Sequence, residues 1–284
     1  MHYSVLAITE GGSERDLAEA MAPYDENLRV APYVAETRAD FIARLGGWAG
    51  RLADEAAALR ADPKAEAEAM AKDPRRTEWL LRGEGARIAS LAGKGDAAFA
   101  EFAAIDGGEF DAEGNRLSTY NPDSRYDYYS VGGMGDALPL LSGGWADDAD
   151  SDEVDWDGLF ARRPKDLKEA ESFWRAHVLG EPYPGMTAEE TAAEVDSRYG
   201  PLLYKPEWYL AAYGDLEGYL ASVGFGTYAI LDGPSGEWLS PGKMGWFSSS
   251  ETPEGWGKWR RGYADLARRL AKPGTHVWVL DLHI

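Results

Sequence analysis

Near the end of the chain, Asp281 and His283 stand two residues apart in the run His276-Val277-Trp278-Val279-Leu280-Asp281-Leu282-His283. On a strand that spacing turns both side chains to one face. A carboxylate beside an imidazole suits general acid–base work, or the holding of a metal ion with its ligand oriented. His2 opens the run His2-Tyr3-Ser4-Val5-Leu6-Ala7-Ile8-Thr9, which reads as a strand of its own. If the first and last strands pair, His2 approaches His283, and His2, Asp281 and His283 together would suit zinc or another divalent ion as cofactor. The plainer alternative is a frayed end with both side chains in water.

The second unusual stretch is Tyr126-Asp127-Tyr128-Tyr129-Ser130-Val131-Gly132-Gly133. Strand alternation puts Tyr126 and Tyr128 on one face and Asp127 and Tyr129 on the other. Gly132 and Gly133 permit positive φ or a close backbone approach. With the C-terminal pair, this predicts one concave ligand pocket lined by Asp127, Tyr129, Gly132, Gly133, Asp281 and His283. His2 would lie at its edge and Trp246 would form an apolar wall. A buried Asp or His needs a partner, because an unpaired buried polar group costs roughly 1–3 kcal/mol; Asp281 is expected to accept from an imidazole. The alternative is a sheet packing its tyrosines on a helix, followed by a glycine turn.

Other chemistries lack their signatures. Gly-x4-Gly-Lys-Ser/Thr is absent, so no phosphate-binding loop of that type is expected. Ser248-Ser249-Ser250 is no nucleophile elbow, since Gly-x-Ser-x-Gly is missing. His177 falls on an expected helix and reads as structural. Asp147, Asp148, Asp150, Asp152, Glu153, Asp155 and Asp157 form an acidic run without a base. It lacks the glycine and terminal glutamate of a calcium loop, so a solvated loop is expected.

The elements that must position these residues follow from punctuation and period. Ser13-Glu14-Arg15-Asp16 has capping-box spacing and predicts a short helix to Met21. Tyr24-Asp25-Glu26-Asn27 reads as a turn. Thr37-Arg38-Ala39-Asp40 opens a longer helix through Leu59, and Asp62-Pro63 and Asp73-Pro74 each read as an N-cap followed by proline in the first turn. Helices are expected over 165–179, 187–199 and 206–221. Gly226–Leu231 and Glu237–Leu239 read as a hairpin, Thr252-Pro253 caps a helix to about Ala271, and the last strand is His276 to His283. Strands at both ends with helices between predict an α+β fold: a mixed or antiparallel sheet containing both termini. A single domain over 1–284 is expected, with 150–222 as a helical insertion.

Composition narrows the classes. The 284 residues are 44% hydrophobic, enough for a substantial core. Lys and Arg number 29 against 49 Asp and Glu, a net charge of −20, which disfavours direct nucleic-acid or anionic-membrane binding. There is no cysteine, which excludes disulfides, thiolate nucleophiles and cysteine metal sites. No apolar run of about 18 residues is present to span a membrane. The N-terminal run lacks a basic segment and cleavage site, so a cytoplasmic address is expected.

Four segments together resemble a family of bacteriophage and prophage proteins. They are the N-terminal strand with Leu17–Tyr33, the block Asn121–Gly133, Lys243-Met244-Gly245-Trp246, and the ending Val279-Leu280-Asp281-Leu282-His283-Ile284. The family's core motif reads Asn-Pro-x-x-Lys-Trp-Asp-Trp-Tyr-x-Ile-Gly-Gly-Arg-Trp, and its usual ending reads Val-Asp-Cys-His-Ile. Here Tyr126 and Tyr128 replace the first two tryptophans, and Met134-Gly135 replaces Arg-Trp. If that arginine meets an anionic ligand in relatives, Met134 changes the contact. The resemblance implies a common site of Asp127, Tyr129, Gly132, Gly133, Asp281, His283 and His2, and supplies no reaction.

Three functions follow as expectations. The first is a phage-encoded accessory protein that binds a small, nucleotide-like molecule or a host factor, for instance in counter-defence. The second is a metal-dependent hydrolase or nucleotide-processing enzyme built on His2, Asp281 and His283. The third is an acidic nucleic-acid mimic or immunity-type inhibitor acting on a basic host protein.

Overall fold

The computed structural model describes residues 2–133, 137–200, 203–245 and 249–284. In chain order the strands are β1 His2–Thr9, β2 Arg29–Glu36, β3 Glu109–Phe110, β4 Arg116–Tyr120, β5 Tyr128–Val131, β6 Leu138–Pro139, β7 Trp145–Ala146, β8 Asp148–Asp150, β9 Ala229–Asp232, β10 Glu237–Leu239 and β11 His276–His283. The helices are α1 Glu14–Met21, α2 Arg38–Ala61, α3 Pro63–Lys72, α4 Pro74–Arg82, α5 Glu84–Ala89, α6 Phe99–Asp106, α7 Trp156–Leu159, α8 Pro164–Phe173, α9 Ala188–Tyr199, α10 Pro206–Tyr213, α11 Leu216–Ala221 and α12 Pro253–Leu270. None is long and apolar enough to cross a membrane.

The chain divides into two compact units, Arg29–Tyr120 and the remainder on either side of it, where one domain was expected over 1–284. In the first of these, β2, β4 and β3 form a small sheet, and α2 to α6 pack around Phe41, Leu45, Leu52, Leu80, Ile88 and Phe102. The larger unit is α+β and holds the main sheet, in the order β10-β9-β1-β11-β5, with β8 also on β11. β1 runs parallel to β9 and antiparallel to β11, so the sheet is mixed, and strands from both ends of the sequence lie at its centre. The 150–222 region, expected as a helical insertion, belongs to this unit and carries α7 to α11.

Alternation explains why β1 and β11 are central. Tyr3, Val5 and Ala7 share a face with Trp278, Leu280 and Leu282, and α1 covers them through Leu17 and Met21. On the opposite face, Leu6, Ile8, Val277 and Val279 pack under Tyr263, Ala267 and Ala271 of the α12 region. Burying a large aliphatic side chain contributes about 1.5–3 kcal/mol, so these two layers are the main source of stability in the unit.

Much of the acidic charge is local scaffolding. Asp62, Asp73, Asp155 and Asp215 are N-caps whose carboxylates accept backbone N–H bonds, and Ser13–Asp16 and Thr187–Glu190 are complete capping boxes. The acidic run also departs from the expected solvated loop. Asp148–Asp150 is an edge strand on β11, Asp155 caps α7, Asp152 accepts from the Gly274 N–H and Asp157 pairs with Arg268. The expected helix over 206–221 is two helices, broken at Gly214, whose φ of +80° no ordinary helical residue adopts.

Candidate functional site

The second face of the main sheet changes character along its length. Leu6, Ile8, Val277 and Val279 are covered, whereas His2, Ser4, Asp281 and His283 continue the same alternation into a polar, half-exposed end. The antiparallel register sets His2 directly opposite His283 and Ser4 opposite Asp281. The two imidazole rings lie 4.9 Å apart, centroid to centroid.

Each ring is held by its own carboxylate. His2 Nδ1 is 3.1 Å from both Asp281 oxygens, and His283 Nδ1 is 2.8 and 3.0 Å from the oxygens of Asp127. An ionised carboxylate only accepts, so Nδ1 of each ring carries the proton and donates it. That leaves both Nε2 atoms as the proton-accepting positions of the neutral rings. Asp127 is itself fixed: its backbone N–H donates to the His283 carbonyl at 3.0 Å, and one carboxylate oxygen accepts from the Tyr128 N–H at 2.8 Å. Tyr128 is 53% exposed and lies almost flat on His283, at 4.8 Å and 15° between planes. Its hydroxyl approaches His2 Nε2 at 3.5 Å.

The sequence-expected residues are distributed as follows. His2, Asp127, Asp281 and His283 come together. Tyr129 does not join them: it sits opposite Leu282, on the other face, against Tyr126 at 5.4 Å. Strand alternation does not extend to Asp127, because β5 begins only at Tyr128. Tyr128 takes the place assigned to Tyr129. Only the strand register would have revealed this, because the sequence gives three tyrosines at equal claim.

Gly132 and Gly133 both have positive φ, +74° and +97°. The space a side chain would fill is already taken by the protein's own acids: a Cβ on Gly132 would meet Asp147 at 2.6 Å, and one on Gly133 would meet Asp281 Cβ at 2.8 Å. These glycines therefore seat aspartates, where an open floor for a ligand was expected. Trp246, the expected wall, and Met134 lie outside the described residues.

The donor set does not assemble the expected metal site. Both carboxylates face Nδ1 atoms, and among the described residues no group of three or more His, Asp or Glu is arranged to hold an ion. A carboxylate behind each imidazole matches the outer shell of a metal site, with the imidazole Nε2 as the direct ligand, but two Nε2 atoms fall short of the three protein ligands of a catalytic zinc site.

The segments 121–133 and 279–284, which carry the family resemblance, are neighbours through β5 and β11. Comparison with known proteins found no matching family model, no matching curated protein and no matching solved structure.

Proposed function

We propose that the protein binds a small, nucleotide-like molecule at the His2–His283 pair and transfers a proton on it. The observation that carries this reading is the pair of imidazoles 4.9 Å apart, each oriented through Nδ1 by a separate carboxylate. Two such rings are the parts of a base and an acid: one Nε2 takes a proton from an attacking group while the other, protonated, delivers one to the leaving group. A protonated Nε2–H is also a donor to a phosphate oxygen, and the exposed ring of Tyr128 offers a stacking surface for a base. The resemblance to phage and prophage proteins supports an accessory role in the host cell. The metal-dependent alternative has less support, since the carboxylates are engaged by the imidazoles.

The test is an NMR titration of ¹⁵N-histidine-labelled protein with ADP, with and without magnesium. The expected result is a shift of the His2 and His283 Nε2 resonances at saturable concentrations. Asp127→Asn and Asp281→Asn should weaken binding at least about tenfold, the scale of one lost charge-assisted bond, without changing the circular dichroism. Unmoved Nε2 resonances across a panel of nucleoside mono- and diphosphates would overturn the reading.

A further inference from the structure

A cavity of about 500 Å³ opens among α8, α9, α10, α11 and α12, within the larger unit and built from residues other than the histidine pair. Six aromatic side chains line it: Phe173, Tyr199, Tyr209, Tyr213, Tyr219 and Trp256. They brace one another edge to face, with Phe173 at 4.8 Å from Tyr199 and 5.4 Å from Tyr209, and Tyr213 at 5.1 Å from Tyr219. The volume lies in the ordinary range of small-molecule sites.

The polar groups in the wall define what fits. Tyr213 is occupied, its oxygen accepting from Trp256 Nε1 at 2.9 Å. The Tyr219 and Tyr199 hydroxyls have no hydrogen-bond partner among the described residues. No sealed side-chain polar atom is left unpaired among the described residues, so the unpaired Tyr219 hydroxyl is reachable from outside, and Tyr199 is itself exposed. Burial pushes the phenols of Tyr199, Tyr213 and Tyr219 up and that of Tyr209 to about 12, so all four stay protonated donors at neutral pH. The charges are already spent. Arg260 donates to the carbonyls of Ser222, Gly224 and Gly226 at 3.0, 2.7 and 3.1 Å, and Glu169 faces Arg198 at 3.7 Å. Among the described residues of the wall, no free cation awaits a phosphate and no free carboxylate awaits an ammonium.

We infer that this cavity binds an uncharged, flat heterocycle of nucleoside size, packed against its aromatic rings and hydrogen-bonded by the hydroxyls of Tyr219 and Tyr199. Ring faces and edges give contact area to a planar guest, and a phenol O–H needs a ring nitrogen or carbonyl to donate to. The site is independent of the histidine pair.

Saturation-transfer NMR on the full chain, with adenosine as probe, tests this. Adenosine should bind saturably to the His283→Gln variant, in which the histidine pair is disabled, and adding Tyr219→Phe should weaken that binding about tenfold, as for one lost hydrogen bond. In the His283→Gln background AMP should bind at least about tenfold more weakly than adenosine, and glucose and choline should not bind. Tyr199→Phe serves as the second hydroxyl deletion should Tyr219→Phe fail to fold. Absence of adenosine binding, binding of choline or glucose in its place, or insensitivity to both hydroxyl deletions would each overturn the proposal.

Discussion

Asp127 and His283, 156 residues apart in sequence, meet at 2.8 Å, and the same two residues exchange a second bond from the Asp127 N–H to the His283 carbonyl at 3.0 Å. The ring is therefore fixed both by side chain and by main chain. Both side chains are about 30% exposed, 31% for His283 and 29% for Asp127, so solvent screens the pair. A double-mutant cycle of Asp127→Asn and His283→Gln, read by urea denaturation, should give a coupling of about 0.5–1 kcal/mol. The pair is thus expected to matter more for ring orientation than for stability. A coupling above about 3 kcal/mol would contradict that division of labour.

His276 is clasped on both sides. Its Nδ1 lies 2.8 Å from Asp150 and its Nε2 2.9 Å from Asp148, while the ring is only 11% exposed. Both β8 acids thus fasten that short edge strand to β11. His276→Ala should cost roughly 1–3 kcal/mol by chemical denaturation, with increased amide exchange confined first to 147–152. Calcium and chelator should both leave the melting temperature unchanged, because these acids are engaged by protein groups; a calcium-dependent rise would restore a calcium-loop reading.

Gly133→Ala should be costly for two separate reasons. The backbone has φ +97°, and the new methyl would press on the Asp281 side chain. A destabilisation of roughly 1–3 kcal/mol is expected. The diagnostic readout is His2, whose Nδ1 resonance should move as Asp281 is displaced. Normal stability with an unmoved His2 would show that the aspartate is not seated by the glycine.

In the Arg29–Tyr120 unit, burial pushes the Asp106 carboxyl up, but its bonds to Arg116 at 2.6 Å and Arg44 at 3.5 Å more than reverse this and hold it below its ordinary range. A carboxyl depressed in the folded state stabilises fully above its unfolded pKa, near 4, and loses that contribution as pH falls through the lower folded value. Amide protection factors of peptides from 29–120 should therefore fall as pH drops below about 4. Arg116→Gln should flatten that dependence, and an unchanged profile in the variant would assign the acid sensitivity elsewhere.

The parts of this fold that were legible in the sequence are those where period and punctuation agree. β1 and β11 are long, apolar and bounded by turns. α1, α3, α4, α9 and α12 announce themselves by caps and N-terminal prolines. The small sheet was not legible: β2 is largely exposed, contains Pro32 and shifts register twice against β4, so neither alternation nor propensity marks it. β8 is a strand only because β11 pairs with it, and no local preference of Asp148-Ala149-Asp150 says so. In the candidate site, His2, Asp281 and His283 were readable from strand spacing, and Asp127 from its place beside the glycines. Which tyrosine joins them depended on where β5 begins, a matter of one residue that inverts every face.

The placement of β1 between β9 and β11 also sets an order of assembly during synthesis. Residues 2–9 leave the ribosome well before their partners at 229–232 and 276–283, which emerge more than two hundred residues later. At typical elongation rates of about 5–20 residues per second, the apolar strand Val5–Ile8 waits for ten seconds or longer without its neighbours. The Arg29–Tyr120 segment, by contrast, has all its own partners as soon as it emerges. In nascent chains the Arg29–Tyr120 unit should therefore mature before the main sheet, whose strand β1 is completed only once β9 and β11 have been made.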